Sequence, residues 1–593
     1  MYRAPLQDLK FALDDVIGPG ALSGCSGCEE YSSDLSQSVL EEAARYAEGV
    51  LEPLYATADR EGSQWSPQGV TTPPGFKAAY DQLVAGGWTQ LRASPEFGGQ
   101  GLPILLVTAV EEIFSAANLA FRLCPMLTQG ATEAIAHCGS DAQKRTYLPA
   151  MVRGEWTGTM NLTEPQAGSD LALIRTRATD QGDHYRIFGQ KIFITYGEHD
   201  LTPNIVHLVL ARIDGAPAGV RGISLFIVPK FLVNADGTLG ERNDLQCVSI
   251  EHKLGIRGSP TCTMVYGQQQ GARGYLLGEA NRGLEYMFVM MNAARLCVGL
   301  EGYAVAERAY QRALDWARTR VQGKPLGPAG ADGPLPIVHH ADVRRMLLTM
   351  RSQIEAMRYL ALYAASQLDI GGKHSDAVVR AAARARGELL IPIVKGWCTE
   401  TGFELASLGI QVHGGMGFIE ETGAAQSLRD ARIGTIYEGT TGIQAADMIG
   451  RKLARDGGAA FAALCGDIRA ELAKPVPPAA RAIQDAAGQA LAELVGAVQA
   501  TLTTMINDPR LAAAVSVPLL RMAGLTLGGW LQARAAARAA LRLGGSDADA
   551  DFLRGKLQSA RFYAEHVLPQ VRGLAPIVRS GGASVVEADP ALL

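Results

Sequence analysis

Apolar residues recur every three or four positions along SVLEEAARYAEGVLEPLY, where Val39, Leu40, Ala43, Ala47, Val50, Leu51 and Leu54 share a face. That period marks an amphipathic helix packed on others. FKAAYDQLVAGGW and ILLVTAVEEIF repeat it, so the pattern predicts an N-terminal α-helical domain over residues 1–155. The texture then changes. HYRIFGQKIFITYG, IVHLVLARI, ISLFIVPKF and CTMVYG are short β-branched and aromatic runs bounded by Gly, Asp, Asn and Pro clusters, the pattern of a middle β domain over residues 156–278. From Leu284 the helical period returns, and Leu347, Met350, Ile354, Met357, Ala361, Ala364 and Leu368 alternate steps of three and four. Such a seam predicts helices packed near-parallel in a bundle over residues 279–452. Within it GKPLGPAGADGPLP reads as a surface loop. Beyond Lys452 an alanine-rich segment is broken at Pro475 to Pro478 and at Gly544 to Asp551, which bracket about three helices. This is an appended C-terminal helical domain over residues 453–593. No internal repeat of fixed period is present, which argues against a solenoid. The expected fold class is therefore α+β and multidomain: N-terminal helices, a central β-barrel or sandwich, a four-helix bundle and appended helices.

Charge and cysteine usage narrow the function classes. A formal net charge of -5 over 593 residues gives no general attraction for phosphate backbones or anionic lipids. The opening MYRAPLQDLKFALDD shows no charged-then-apolar leader, and no apolar run reaches the roughly 18 residues of a membrane span. The expectation is a soluble, cytoplasmic protein without integral membrane association or nucleic-acid partner. The 9 cysteines are scattered and odd in number, which points to reduced thiols. Cys25 and Cys28 form one CxxC, but no second cysteine pair or close histidine pair completes a zinc site, and no metal is expected. His339, His340 and His413 complete no triad or metal set and read as structural or surface residues.

Four segments depart from what packing alone would choose. MNLTEPQAGSD (Met160 to Asp170) is a polar loop rich in backbone N–H groups, hydroxyls and carboxylates; it can wrap a polar ligand or be an ordinary turn. KIFITYG (Lys191 to Gly197) alternates so that Phe193 and Thr195 share one strand face and Ile192 and Ile194 the other. A ring beside a hydroxyl suits a flat, hydrogen-bonding heterocycle, and it also suits a plain strand. In IGTIYEGTTGIQAADMIGRKL, Glu438 precedes an apolar helical stretch. A carboxylate in apolar surroundings has its ionised form desolvated, as a base for carbon acids requires; a helix N-terminus favours an acid equally well. Finally, Arg295 lies in line with the apolar stripe Leu284, Phe288 and Met291, so it either snorkels to water or meets a carboxylate or substrate oxygen.

Together with PEFGGQGLP, EHKLGIRGSPT, ARTRVQGKP, IQVHGGMGF and RDARIGTIYEGTTGIQ, these segments resemble the acyl-CoA dehydrogenase family in the family's order, from about Ser38 to Lys452. The opening MYRAPLQDLKFALDDVIG and the extra C-terminal domain resemble the longer subgroup that includes 3-methylmercaptopropionyl-CoA dehydrogenases. The resemblance implies FAD as cofactor and an acyl-CoA substrate, with Glu438 as the catalytic base. It implies that Met160, Leu162 and Thr163 contact the flavin, that Ser169 lies near the pyrophosphate or CoA arm, and that Phe193 and Thr195 sit against the ring. Arg295 would lie close to the glutamate and bind substrate. Arg320, Gln411, Gly415 and Thr440 match cofactor-binding positions; Arg320, Gln411 and Gly415 correspond to those for the FAD tail of the neighbouring subunit, which implies a homodimer or a dimer of dimers. This chain has Phe193 where the family commonly has tryptophan and Gly442 where it commonly has glutamine.

The implied reaction removes the α proton and the β hydrogen of an acyl thioester, with electrons passing to an electron-transfer flavoprotein. Two alternatives are an acyl-CoA oxidase that uses O₂ and a flavin-bearing, DNA-associated protein of the alkylation-response type. The second calls for a basic surface, whereas the segment after Lys452 interleaves Arg with Asp and Glu.

Overall fold

The computed structural model describes residues 1–326, 333–545 and 549–593. The expected surface loop (Gly323 to Pro336) and the expected break at Gly544 to Asp551 both lie partly outside the described residues. The chain runs helices, strands, helices in the order its periodicity predicts. It divides into two compact units: Met1–Ala44 with Pro103–Ala116 and Val298–Leu593, and Arg45–Leu102 with Ala117–Cys297.

The second unit holds the β structure. Its strands are β1 (Gln64–Ser66), β2 (Gly69–Thr71), β3 (Trp156–Asn161), β4 (Arg177–Asp180), β5 (Tyr185–Thr195) and β6 (Asn204–Ile213). They continue with β7 (Ile223–Pro229), β8 (Phe231–Val233), β9 (Leu239–Arg242), β10 (Leu245–Ile250), β11 (Thr261–Tyr266) and β12 (Ala272–Leu276). One sheet runs β10-β11-β5-β12-β7-β6-β3, and β4 joins both β5 and β6. The pairings are antiparallel except β3 with β6 and β4 with β6. Ile187, Ile194, Val209, Phe226, Val228 and Met264 fill its interior. The hairpin β1–β2 interrupts the stretch expected to be wholly helical. Its strands are too short to show alternation in sequence, yet Val70 joins the β core and Trp65 Nε1 donates to the Cys247 carbonyl at 3.0 Å.

Two buried histidines brace β3. His199 Nδ1 accepts from Leu201 N–H at 3.1 Å, so its Nε2 carries the proton toward Thr157 Oγ1 at 2.9 Å. His207 Nδ1 lies 2.7 Å from Thr159 Oγ1. Burial, reinforced by the Lys230 charge, pushes both imidazoles down to about 3. In an unfolded chain each protonates near pH 6.5. Between those values the unfolded state binds protons that the folded state does not, so stability falls as pH drops, by about 1.4 kcal/mol per pH unit for each group. We therefore expect the thermal midpoint, followed by circular dichroism, to fall steadily from pH 7 to pH 5. A midpoint constant over that range would contradict the neutral assignment.

The first unit is helical. Ala341–Lys373 and Ala377–His413 are its long central helices, and Asp376 caps the second by accepting from Val378 N–H at 2.7 Å and Val379 N–H at 3.2 Å. The predicted seam is buried except for a half-buried Leu368, but burial goes further round the helix than the seam implies. The reason is the C-terminal helix Ser516–Leu543, whose Gln532 donates to the Ser352 carbonyl at 2.8 Å. Charges enclosed there are paired: Arg358 with Glu112 and Glu307 at 2.6 and 2.9 Å, and Lys556 with Glu355 at 3.0 Å. Lys556 also reaches Asp8, and Phe552 meets Phe11 edge-on at 5.8 Å, so the opening residues and the C-terminal helices pack together.

Among the described residues one helix, Ile104–Cys138, is long and apolar enough to cross a membrane, and its most apolar window is 94% buried inside the protein. It breaks at Asn118, whose backbone is non-helical. The buried window marks a core helix.

Candidate active site

In the β unit the polar loop and strand β5 are bound to each other. Lys191 Nζ donates to the Leu162 carbonyl and to Glu164, both at 2.9 Å, and Ile192 N–H donates to the Thr163 carbonyl at 2.9 Å. The Glu164 carboxylate also accepts from Arg175 N–H at 2.7 Å and Thr176 N–H at 3.0 Å, which closes the loop on itself. Burial alone would raise Glu164, but the Lys191 ammonium and these donors hold it below the usual carboxylate range. Burial pulls Lys191 down to about 8 against the attraction of Glu164, so it stays charged at neutral pH. Thr163 is thereby fixed beside Phe193. Met160, on β3, is half-buried, Leu162 is buried, and Ser169 lies exposed on the loop.

The simple alternation expected for KIFITYG does not hold along its length. The pairing of β5 with β11 shifts between Met264–Lys191 and Cys262–Ile194, leaving Ile192 and Phe193 opposite a single residue. This bulge buries Lys191 and Ile194, three positions apart, and turns Phe193 outward. Phe193 has φ +60° and is 58% exposed, with Thr195 half-buried two residues on. A bulky residue in the left-handed region is strained, and such strain concentrates at functional positions. An exposed ring beside half-buried threonine hydroxyls fits a planar, hydrogen-bonding heterocycle such as a flavin.

In the helical unit Glu438 occupies a short turn before the helix Thr441–Asp447, with φ +54° followed by Gly439 at +91°. It is half-buried. Its carbonyl accepts from the buried Gln444 Nε2 at 2.9 Å, and the Gly439 carbonyl accepts from the buried Lys395 Nζ. Tyr437 donates its hydroxyl proton to the buried Glu301. Thr440 caps the helix by accepting from Ile443 N–H at 3.3 Å. Glu438 thus precedes the cap, outside the helix, and three neighbouring side chains fix its backbone.

Arg295 is 4% exposed, which excludes the snorkelling alternative. Its guanidinium lies 5.9 Å from the Phe288 ring centroid, and Nη1 is 3.5 Å from Asn292 Oδ1. The apolar stripe is not the covered face: Leu284, Phe288 and Met291 are half-buried, and Met287, Met290 and Ala294 form the buried face. Sequence spacing cannot say which of two adjacent apolar faces of a helix is covered.

Arg320, Gln411 and Gly415 are all exposed in the helical unit. The Trp316 ring stacks on buried His413 at 5.4 Å and carries Arg320 at 5.8 Å, which brings the ends of helices Gly283–Thr319 and Ala377–His413 together there. Met416, Phe418 and Ile419 beside them are 45, 85 and 45% exposed. A Cβ at Gly442 would meet nothing nearer than Thr440 Oγ1 at 3.8 Å, so the departure from glutamine there is not forced by crowding.

Sequence reasoning passed over Glu164, Lys191, Lys395, Gln444 and Glu301. The available signal was the one used for Arg295, a charge inside an apolar run, as in LLIPIVKGW around Lys395.

Family models match the chain in order. The acyl-CoA dehydrogenase N-terminal, middle and C-terminal domains match residues 33–155, 159–268 and 281–454, and an acetyl-CoA dehydrogenase C-terminal-like domain matches 464–589. The 3-methylmercaptopropionyl-CoA dehydrogenase of Ruegeria pomeroyi is 47% identical over 99% of this chain and 100% of its own length. The broad-specificity linear acyl-CoA dehydrogenase FadE5 of Mycobacterium tuberculosis is 35% identical over 100% of this chain and 99% of its own. An acyl-CoA dehydrogenase from Bacillus anthracis, solved with FAD, shares the fold at a TM-score of 0.73 and 20% identity, over 100% of this chain and 94% of that one. By these matches, which span both compact units and the C-terminal helices, the chain belongs to the acyl-CoA dehydrogenase family.

Proposed function

We propose that the enzyme converts an acyl-CoA thioester to its trans-2-enoyl-CoA with FAD as oxidant, Glu438 removing the α proton and an electron-transfer flavoprotein taking the electrons. The observation that carries this reading is Glu438 itself, a half-buried carboxylate held in a left-handed backbone conformation by buried donors. A base on a fixed turn needs little reorganisation to reach a carbon acid. FAD, when bound, supplies the acceptor for the β hydride.

The remaining roles belong to this chain's residues. Phe193, Thr195, Met160, Leu162 and Thr163 hold the isoalloxazine, and Ser169 lies toward the pyrophosphate or the CoA arm. Arg295 serves the substrate side. Thr440 binds the cofactor, and Arg320, Gln411 and Gly415 take the FAD tail of a neighbouring subunit in a homodimer or dimer of dimers. The exposed apolar residues Met416, Phe418 and Ile419 support that assembly. The functional division we propose is 1–155, 156–278, 279–452 and 453–593.

Electron-transfer flavoprotein and O₂ are separated by one assay. The purified protein is given linear and methylthio-substituted acyl-CoAs, chosen because two relatives are named for such substrates. The expected result is substrate-dependent reduction of electron-transfer flavoprotein with little peroxide. Hydrogen peroxide formed in proportion to substrate consumed would make the enzyme an oxidase.

A further inference from the structure

We infer that Lys395 and Gln444 are positioning residues for Glu438, and that the C-terminal helices bear on the reaction through the turn of helix that carries Lys395. The inference rests on the reading of Glu438 as the base. Lys395 and Gln444 are both 0% exposed, and they hold the two consecutive carbonyls of Gly439 and Glu438. A left-handed conformation at a glutamate is sparsely populated and persists only where the surroundings over-determine it. Tyr437, tied to Glu301, adds a third anchor, so residues 437, 438 and 439 are held from three different helices.

The next residues of the Ala377–His413 helix face the C-terminal helix Ser516–Leu543. A Cβ on Gly396 would lie 2.9 Å from Leu520 and 3.4 Å from Gln444 Cβ. The Trp397 ring fills the groove over Gly524 and Gly528: a Cβ on either would lie 2.1 Å from Trp397 Cγ and 2.9 Å from its Cη2 respectively. Position 395 therefore grips the base's turn while positions 396 and 397 are seated on the C-terminal helix. A shift of that seat moves the Lys395 ammonium, and with it the Gly439 carbonyl and Glu438. The extra helices act as a buttress for the base.

The test uses the full-length, flavin-loaded enzyme. Lys395→Met is expected to lower kcat on the order of 10²-fold, the scale of an ångström-sized misplacement, with KM nearly unchanged. Exchange of the α hydrogen for deuterium in D₂O, measured by NMR on a CoA thioester with no β hydrogen to transfer, is expected to slow by a similar factor. Gln444→Leu should act in the same direction, and Gly524→Ala should do so by displacing Trp397. Wild-type kcat and exchange in folded Lys395→Met, or in Gln444→Leu should the first not fold, would overturn the inference. So would a loss confined to KM. Glu438→Gln is run alongside: normal exchange in that variant would remove the base assignment itself, whereas a dead Glu438→Gln beside a fully active Lys395→Met would remove only the positioning role.

Discussion

Replacing Glu438 by glutamine is expected to lower acyl-CoA turnover about 10²- to 10⁴-fold, the usual cost of removing a general base. The substitution keeps size and shape, so the backbone anchors from Gln444 and Lys395 remain available and FAD content should match wild type. Glutamine at this position cannot take a proton from carbon at useful rate, and the loss should fall on kcat and kcat/KM together, because substrate binding does not need the charge. The residue sits on a strained turn whose backbone is held in place, so aspartate, one methylene shorter, should recover little. Steady-state turnover with electron-transfer flavoprotein as acceptor measures the loss; activity near wild type would place the base elsewhere.

Replacing Lys191 by methionine is expected to produce the second large effect, on stability and cofactor retention. The Glu164 carboxylate is 3% exposed, and removing its ammonium partner leaves a buried charge with only neutral donors around it. Breaking a buried pair from one side costs about 3–5 kcal/mol. Because Lys191 also holds the Leu162 carbonyl, the loop proposed to contact the flavin loosens as well. The variant should melt earlier and shed FAD on gel filtration. Adding Glu164→Gln should restore part of the stability, since it removes the buried charge, while its single amide oxygen can accept from Arg175 N–H or Thr176 N–H but not from both. A single variant as stable as wild type would mean that the pair contributes nothing to holding the loop.

The sequence pattern was sufficient for the order of elements because long helices repeat their period many times and the strands are dense in β-branched and aromatic residues. The helix spacing around Met350 and the β-branched run IVHLVLARI both lie in elements the structure contains, Ala341–Lys373 and β6. What was illegible is local or distant. The β1–β2 hairpin has three-residue strands, too short for a period to register. The bulge at Phe193 inserts one residue into a ladder and resets alternation, an event decided by pairing with β11 that one strand's sequence does not carry. The half-buried stripe at Phe288 failed for another reason, since helical spacing identifies an apolar face but not what covers it. The site motifs were legible as segments. Their supports were not, because Lys191 meets Glu164 and Lys395 meets Gly439 across 27 and 44 residues. Such contacts belong to tertiary packing, and the only trace they left was a lysine standing among apolar neighbours.

The most direct test of Glu438 as the base of a flavin-linked dehydrogenation is anaerobic mixing of the purified, FAD-loaded protein with acyl-CoAs of increasing chain length. At least one of them is expected to bleach the oxidised flavin of the wild type rapidly while Glu438→Gln stays yellow. A wild type that no acyl-CoA bleaches, or a Glu438→Gln variant that bleaches as fast as the wild type, would contradict it.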